Sequence, residues 1–325
     1  MTVSLCIVAL NEEEFLPRIL ADVAAQTYPH ELTEVVLVDS GSSDGTRRIM
    51  LDFAAQDNGF IAVKIRDNPK KIQAAGWNVA LDAAVGDVIV RLDAHARIPA
   101  DFVAKNVALQ EKGELITGGI RPPLVDRPTS LKNTLLEVES SLFGSSIGAN
   151  RRGAVSGYVK TMFHAAYRRE VFERVGRFNE ALLRTEDNEM HYRIRRAGYR
   201  LFCTSDIVSY QYVRPSFRAM IKQKYANGSW VGTTLWVCPL CLSPYHLAPL
   251  AFLFAIVVTS VLAAFGLWQL SALMWSAYLV LCLLAMLSSV VRRTANVWTP
   301  LLPLMFLTLH VAYGVGTLCG LFRKI

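Results

Sequence analysis

Glu34-Val-Val-Leu-Val-Asp39, running directly into Ser40-Gly-Ser-Ser-Asp-Gly45-Thr46, is the stretch that decides the fold. Its first half is an apolar run of strand length, and its second half is a cluster of turn residues. A strand apolar on both faces belongs inside a parallel sheet with helices on either side. The flanking sequence repeats this unit. Upstream, Val3–Ala9 is a second apolar run, and Phe15, Leu16, Ile19, Leu20 and Val23 fall at helical spacing within residues 12–25. Downstream, expected helices over 46–55 and 72–84 alternate with expected strands over 61–65 and 88–92, the last ending at Asp93. Strands and helices alternating across short connections predict an α/β domain with a parallel sheet. Ligands of such sheets lie beyond the carboxyl ends of the strands. Asp39 and Asp93 both fall there.

Beyond Asp101 the pattern loosens. Residues 121–128 read as a loop, 131–143 as a helix, and 144–159, with Arg151 and Arg152, as a glycine-rich mobile segment near the site. Residues 165–175 and 185–197 read as helices, the second closed by Gly198. All 27 acidic residues precede Lys224, and no Asp, Glu, Lys or Arg occurs from Tyr225 to Val291. The chain is therefore expected to divide into a domain over 1–228 and a membrane region over 229–325. Three spans are expected there, over 246–266, 270–290 and 298–321, each near the roughly 20 apolar residues that a bilayer requires. Trp230, Trp236, Tyr245, Trp268 and Trp298 fall near span ends, where interfacial aromatics belong.

The net charge of +7 is spread too thinly for a nucleic-acid surface. It suits acidic lipid head groups and phosphate-bearing ligands. The beginning of the chain has neither a basic leader nor a long enough apolar core for a signal peptide, so the front domain is expected in the cytosol. Cys238-Pro-Leu-Cys241 has CxxC spacing but no second pair to close a zinc site. A transporter would need ionisable residues within its spans, and only His246 and His310 offer any. No GxGxxG follows the first strand, which excludes a dinucleotide oxidoreductase.

Three motifs can carry chemistry. Asp93-Ala-His95 offers a carboxylate and an imidazole to one metal ion, with waters and phosphates completing the shell; a strand-end Asp equally often just caps a turn. Asp39–Thr46 offers a tight glycine-containing turn and a carboxylate able to accept a hydrogen bond from a base. Thr185-Glu-Asp-Asn-Glu189 opens a helix whose dipole keeps carboxylates ionised, which is also ordinary helix-capping chemistry. His164 and His191 read as structural histidines.

Taken together and in order, Asn11-Glu12-Glu13, Asp39–Thr46, Asn78, Asp93–His95, and Glu186-Asp187 with Arg193 and Gly198 resemble the family 2 glycosyltransferases. The resemblance runs from Val3 to about Arg218. Arg91-Leu-Asp-Ala-His-Ala96, Ala166-Tyr-Arg-Arg-Glu-Val-Phe172 and Val175-Gly-Arg-Phe-Asn-Glu180 bring it closest to bacterial exopolysaccharide enzymes of the succinoglycan glucosyltransferase type. It implies a GT-A (Rossmann-like) nucleotide-sugar-binding domain followed by a helical transmembrane anchor, and inversion at the anomeric carbon. It places Ala9, Asn11, Glu13, Asp39, Asn78 and Asp93 at the nucleotide sugar. Asp93 and His95 would hold Mn²⁺ or Mg²⁺. Asp187 is implied as catalytic base, with Glu186 beside it.

The implied reaction moves one hexose, with glucose from UDP-glucose as the default, onto a polyprenyl-diphosphate-linked saccharide. It would serve exopolysaccharide or surface-glycan synthesis at the bacterial inner membrane, with the enzyme multi-pass and its catalytic domain cytosolic. Two positions depart from the family pattern: His95 stands for the second Asp of DxD, and Asn179 stands where Asp is common. Processive relatives carry Gln-x-x-Arg-Trp. Here Gln223 and Trp230 have the wrong spacing and no Arg, so a processive synthase is the alternative, together with a transferase acting on polyprenyl phosphate or another lipid. Residues 215–228 are expected as a short surface helix on which Arg218 and Lys222, four apart on one face, meet the lipid diphosphate.

Overall fold

The computed structural model describes residues 1–144 and 156–323. The expected mobile segment with Arg151 and Arg152 lies largely outside the described residues. The chain forms two compact units, 1–122 with 149–211, and 123–148 with 212–325. Residue 228, the expected domain boundary, lies within a helix of the second unit.

In the first unit the order is β1 (Val3–Ala9), α1 (Leu16–Ala24), β2 (Thr33–Asp39), α2 (Thr46–Ala54), β3 (Ala62–Asp67), α3 (Gln73–Ala83), β4 (Val88–Asp93), β5 (Ala96–Arg97), α4 (Phe102–Glu111) and β6 (Ile116–Ile120). The short β7 (Pro123–Leu124) and α5 (Ser130–Ser140) belong to the second unit. The first unit resumes with β8 (Ser156–Val159), β9 (Ala165–Arg168), α6 (Arg169–Val175), α7 (Glu186–Arg196), β10 (Leu201–Val208) and β11 (Tyr210–Tyr212), the last ending at the division between units. Eight strands form one sheet in the order β3-β2-β1-β4-β9-β6-β10-β8.

β1 is parallel to both β2 and β4, and β2 to β3. Period-two alternation sends neighbouring residues to opposite faces. Leu5, Ile7, Val35, Leu37, Val90 and Leu92 pack with α1, α2 and α4 on one face; Cys6, Val36, Val38 and Ile89 pack with α3, α6 and α7 on the other. This two-sided burial explains why these strands read as continuous apolar runs.

One expectation fails in this unit. Residues 165–175 are not one helix, because Ala165–Arg168 is a strand inserted antiparallel between β4 and β6. Ala165, Ala166 and Tyr167 are wholly buried there. The ladder and this burial outweigh alanine's helix propensity.

The second unit contains α5, α8 (Phe217–Val237), α9 (Ala248–Ala264), α10 (Trp268–Val291) and α11 (Leu302–Leu321). Three segments, Pro244–Ala264, Trp268–Val291 and Thr299–Leu321, are long and apolar enough to cross a membrane. Almost no residue of the first two is fully buried along its apolar window, whereas 39% of the third is buried. Leu135 and Val138 of α5 share a core with Met220, Cys282, Leu302, Phe306 and Leu309. The charged residues of α5 are compensated within the unit: Glu139 pairs with buried Lys224 at 3.1 Å, and Ser289 Oγ donates to Glu137 Oε2 at 3.0 Å.

α8 is longer than the helix expected over 215–228. Ser216 caps it by accepting from Ala219 N–H, so Pro215 precedes the helix instead of opening its first turn. Gly228 does not end it. A Cβ at Gly228 would strike the Tyr313 carbonyl, one at Gly232 the Thr317 carbonyl, and one at Gly320 the Ser229 carbonyl. These contacts ascend together along α8 and α11, so the two helices run parallel in backbone contact. The glycine is there for close approach, not for a stop.

Candidate active site

The site is built on the carboxyl edge of the first unit's sheet. Strand register sets Ala9 beside Asp39, Asp39 beside Asp67, and Val8 beside Asp93. Two βα loops cross-brace above that edge. Asn11 sits at φ 54, a left-handed conformation that Asn tolerates. Its N–H donates to Ser42 Oγ (3.0 Å), and its Oδ1 accepts from Ser43 N–H (2.8 Å). Glu12 N–H donates to Thr46 Oγ1 at 2.8 Å, and Glu13 Oε2 accepts from Gly45 N–H at 2.7 Å. Asp39 Oδ1 accepts from Ser42 N–H at 3.0 Å, and its Oδ2 lies 3.6 Å from Arg47.

Of the residues expected at the nucleotide, Asn11, Glu13 and Asp39 thus come together. Ala9 is buried beside them, its carbonyl accepting from Ser40 N–H. Asn78 is placed differently. Its amide donates to the Phe178 carbonyl (3.0 Å) and Glu180 (2.9 Å) and accepts from Phe178 N–H (2.8 Å). It is buried with all its groups engaged, so it pins the 178–180 stretch and has no amide hydrogen left for a nucleotide.

Asp93 ends β4 with its side chain 17% exposed. Its Oδ2 lies 3.2 Å from Nε2 of buried His164, an oblique contact, and His164 Nδ1 meets Ser209 Oγ at 2.8 Å. Burial lowers the His164 pKa against the raising pull of Asp93. Burial alone would raise the Asp93 carboxyl, but contact with His164 and the nearby His95 and Arg91 hold it well below the usual carboxylate range.

Arg91 interrupts an otherwise apolar strand. Its guanidinium lies 4.6 Å from the Trp77 ring centroid and 5.3 Å from that of Phe178, and it pairs with Glu186 at 3.0 Å. Burial alone would lower its pKa, yet Glu186, Asp93 and Asp187 together raise it. One buried cation therefore feels all three carboxylates, with Glu186 in direct contact.

Glu186 and Asp187 occupy the first turn of α7 but face different surroundings. Thr185, just before the helix, sits at φ 68, which is strained for a β-branched residue. Glu186 is buried, and burial and the charge of Asp187 push its carboxyl up to about 7 against the pull of Arg91. Asp187 is half-buried, with Oδ1 accepting from Asn188 N–H at 2.8 Å. The two carboxylates expected at the catalytic position thus differ in exposure. Only Asp187 is accessible, and Glu186 anchors the turn to Arg91. Glu189 is likewise buried in a bidentate pair with Arg193. His191 is buried: Tyr167 meets its Nε2 at 2.7 Å, and burial lowers its pKa to about 3.

His95 is held at both ring nitrogens, by Glu12 Oε1 at 3.0 Å from Nδ1 and Gln211 Nε2 at 2.8 Å from Nε2. Among the described residues no group of three or more His, Cys, Asp or Glu side chains can enclose a metal ion. A divalent ion at a diphosphate needs only one or two protein ligands, because substrate phosphates and waters complete its shell. The ionised, partly exposed Asp93 fits that role. His95 fits it once Gln211 moves off Nε2. Arg218 and Lys222, in the second unit, are exposed on α8 with no acidic partner among the described residues. Arg91 and Glu12 lie within the motifs that carry the family resemblance but had no contact assigned to them, and Gln211 was not singled out; Arg91 also shows as a charge inside the apolar run 88–92.

Residues 4–176 match the family described as Glycosyl transferase family 2. The chain is similar to "Succinoglycan biosynthesis protein ExoA" of Rhizobium meliloti (strain 1021), 29% identical over 94% of this chain and 91% of the relative. It also resembles a Methanococcus voltae enzyme, "Dolichyl N-acetyl-alpha-D-glucosaminyl phosphate 3-beta-D-2,3-diacetamido-2,3-dideoxy-beta-D-glucuronosyltransferase", at 24% identity over 99% of this chain and 97% of that one. Among solved structures, mannosyltransferase PcManGT from Pyrobaculum calidifontis, in complex with GDP-Man and Mn²⁺, shares the fold. Its TM-score is 0.64 at 23% identity, covering 97% of this chain and 86% of that one.

Proposed function

The chain belongs to glycosyl transferase family 2, and on that premise we propose that it is an inverting, membrane-bound transferase moving one hexose from a nucleotide sugar onto a polyprenyl-diphosphate-linked saccharide. The observation that carries this reading is the gathering of Asp93 and the accessible Asp187 around Arg91, at the carboxyl edge beside the Asp39 loop. Asp187 takes the proton of the acceptor hydroxyl as the hydroxyl oxygen bonds to the anomeric carbon. The bond from that carbon to the diphosphate oxygen breaks on the opposite side, and the nucleoside diphosphate leaves. The Asn11–Glu13 and Asp39–Thr46 loops bind the nucleoside. Asp93 and His95 would hold a divalent ion, which would supply charge neutralisation for the departing diphosphate.

The lipid-linked acceptor is supported by the three apolar helices and by the name of the Methanococcus enzyme, whose acceptor is dolichyl-linked. We assign the protein to exopolysaccharide or surface-glycan synthesis, multi-pass in the inner membrane with the catalytic domain cytosolic. UDP-glucose is the first donor to assay, alongside the GDP-mannose that the Pyrobaculum enzyme carries.

Arg218 and Lys222 are assigned to the acceptor diphosphate. They are four residues apart on the basic first half of α8, with Phe217 and Ile221 on the apolar side packed into the helical core. Neutralising both should raise the KM for the lipid-linked acceptor several-fold and leave the KM for the nucleotide sugar unchanged, measured in detergent without anionic lipid. Unchanged acceptor kinetics there would restrict these cations to general contact with lipid head groups.

A further inference from the structure

We propose that Glu12 and Gln211 are positioning residues that clamp His95 in a single tautomer, with Gln211 also covering the nitrogen that faces the ligand. Donor and acceptor capacity decides the tautomer. An ionised carboxylate only accepts and an amide nitrogen only donates. Glu12 Oε1 at 3.0 Å therefore requires the proton on His95 Nδ1, and Gln211 Nε2 at 2.8 Å requires the lone pair on His95 Nε2. The amide orientation of Gln211 is itself fixed, because its Oε1 accepts from Arg121, whose guanidinium has no acceptor. Arg121 is buried and stacked 3.4 Å from the Phe163 ring centroid, so the far end of the chain of contacts is anchored. Each hydrogen bond from Arg121 through Gln211 and His95 to Glu12 points the same way. Reversing one would oppose two donors or two acceptors.

The near end is equally fixed. The backbone N–H of Glu12 is bound to Thr46, and its carbonyl accepts from Phe15 and Leu16 at the start of α1. Glu12 thus ties the Asn11–Glu13 loop to the residue two beyond Asp93, joining the nucleotide loop to the strand end. A histidine that ligates a metal through one nitrogen commonly gives its other N–H to a carboxylate, which fixes the ring and strengthens the ligand. Glu12 is placed for that part. Gln211 stands where the ion would approach, and must turn aside to admit it. This inference rests on the metal assignment to His95, and its test separates the two.

The experiment uses the full chain in detergent, with Mn²⁺ in the presence of UDP as the binding probe and ¹⁵N-histidine NMR as the tautomer probe, His95→Asn identifying the signal. The wild type should show His95 protonated at Nδ1. Glu12→Ala should abolish that single tautomer and weaken Mn²⁺ binding by about 10–100-fold, the usual effect of losing such a partner. Glu12→Gln, which retains an acceptor oxygen, should restore the tautomer. Gln211→Ala should act in the opposite direction, binding Mn²⁺ as tightly as the wild type or more so. A nonspecific structural lesion would weaken both variants. A wild-type His95 protonated at Nε2 overturns the clamp, as does Glu12→Ala with unchanged tautomer and affinity. Wild type with the expected tautomer but no Mn²⁺ binding overturns the metal assignment and leaves the clamp standing.

Discussion

Asp187→Asn should abolish transfer almost completely, by about 10²–10⁴-fold in rate, while nucleotide-sugar affinity stays within a few-fold of wild type. The substitution keeps size and hydrogen-bonding reach and removes only the capacity to take a proton. Two neighbours are acidic, but neither can substitute. Glu186 is buried against Arg91, and Glu189 is held by both nitrogen contacts of Arg193. Single-turnover transfer and donor binding, measured on the same preparation, check this. Near-normal transfer would remove the base from Asp187.

Arg91→Met should destabilise the first unit by about 3–5 kcal/mol, because it leaves the Glu186 carboxylate buried without its partner. The size depends on pH. With its folded pKa raised to about 7, Glu186 binds a proton in the native state where the unfolded chain has already lost it. Stability from this group is therefore full below the unfolded carboxylate range and is lost as pH rises through about 7. Removing Arg91 raises that pKa further, so the deficit should be small in acid and widen into the alkaline range. Denaturant unfolding of the detergent-solubilised chain across that pH window measures it. Glu186→Leu added to Arg91→Met should recover much of the loss, since an apolar pair can replace a buried ionic one. A pH-independent deficit, or no recovery, would deny that the pair is the cause.

How much the sequence disclosed depended on how local each signal was. β1, β2 and β4 were legible because parallel strands buried on both faces are nearly continuous apolar runs, and the alternation with α1 to α3 gives their order together with that of the half-exposed edge strand β3. The apolar helices were legible from length alone. β9 was not, because Ala165-Ala166-Tyr167 carries no period, and only the strands on either side make it a strand. The full length of α8 was hidden because a glycine serving close packing looks like a glycine ending a helix. The strand-end carboxylates could be named from motif order, but the different burial of Glu186 and Asp187 could not. Glu186 pairs with Arg91, 95 residues away in sequence. The contacts of His95 span 83 and 116 residues, so neither Glu12, although it lies in the Asn11–Glu13 motif, nor Gln211 could be paired with it from sequence.

The central claim is that this edge of the sheet transfers a single sugar with inversion, and the anomeric configuration of the product tests it most directly. Purified full-length protein is incubated with a nucleotide-activated α-hexose and a polyprenyl-diphosphate-linked saccharide, and the lipid product is isolated and read by mass and by the coupling constant of its new anomeric proton. The account predicts one added hexose per acceptor, β-linked, formed by the wild type and not by Asp187→Asn. An α-linked product, a ladder of added sugars, or equal yield from the variant would contradict it.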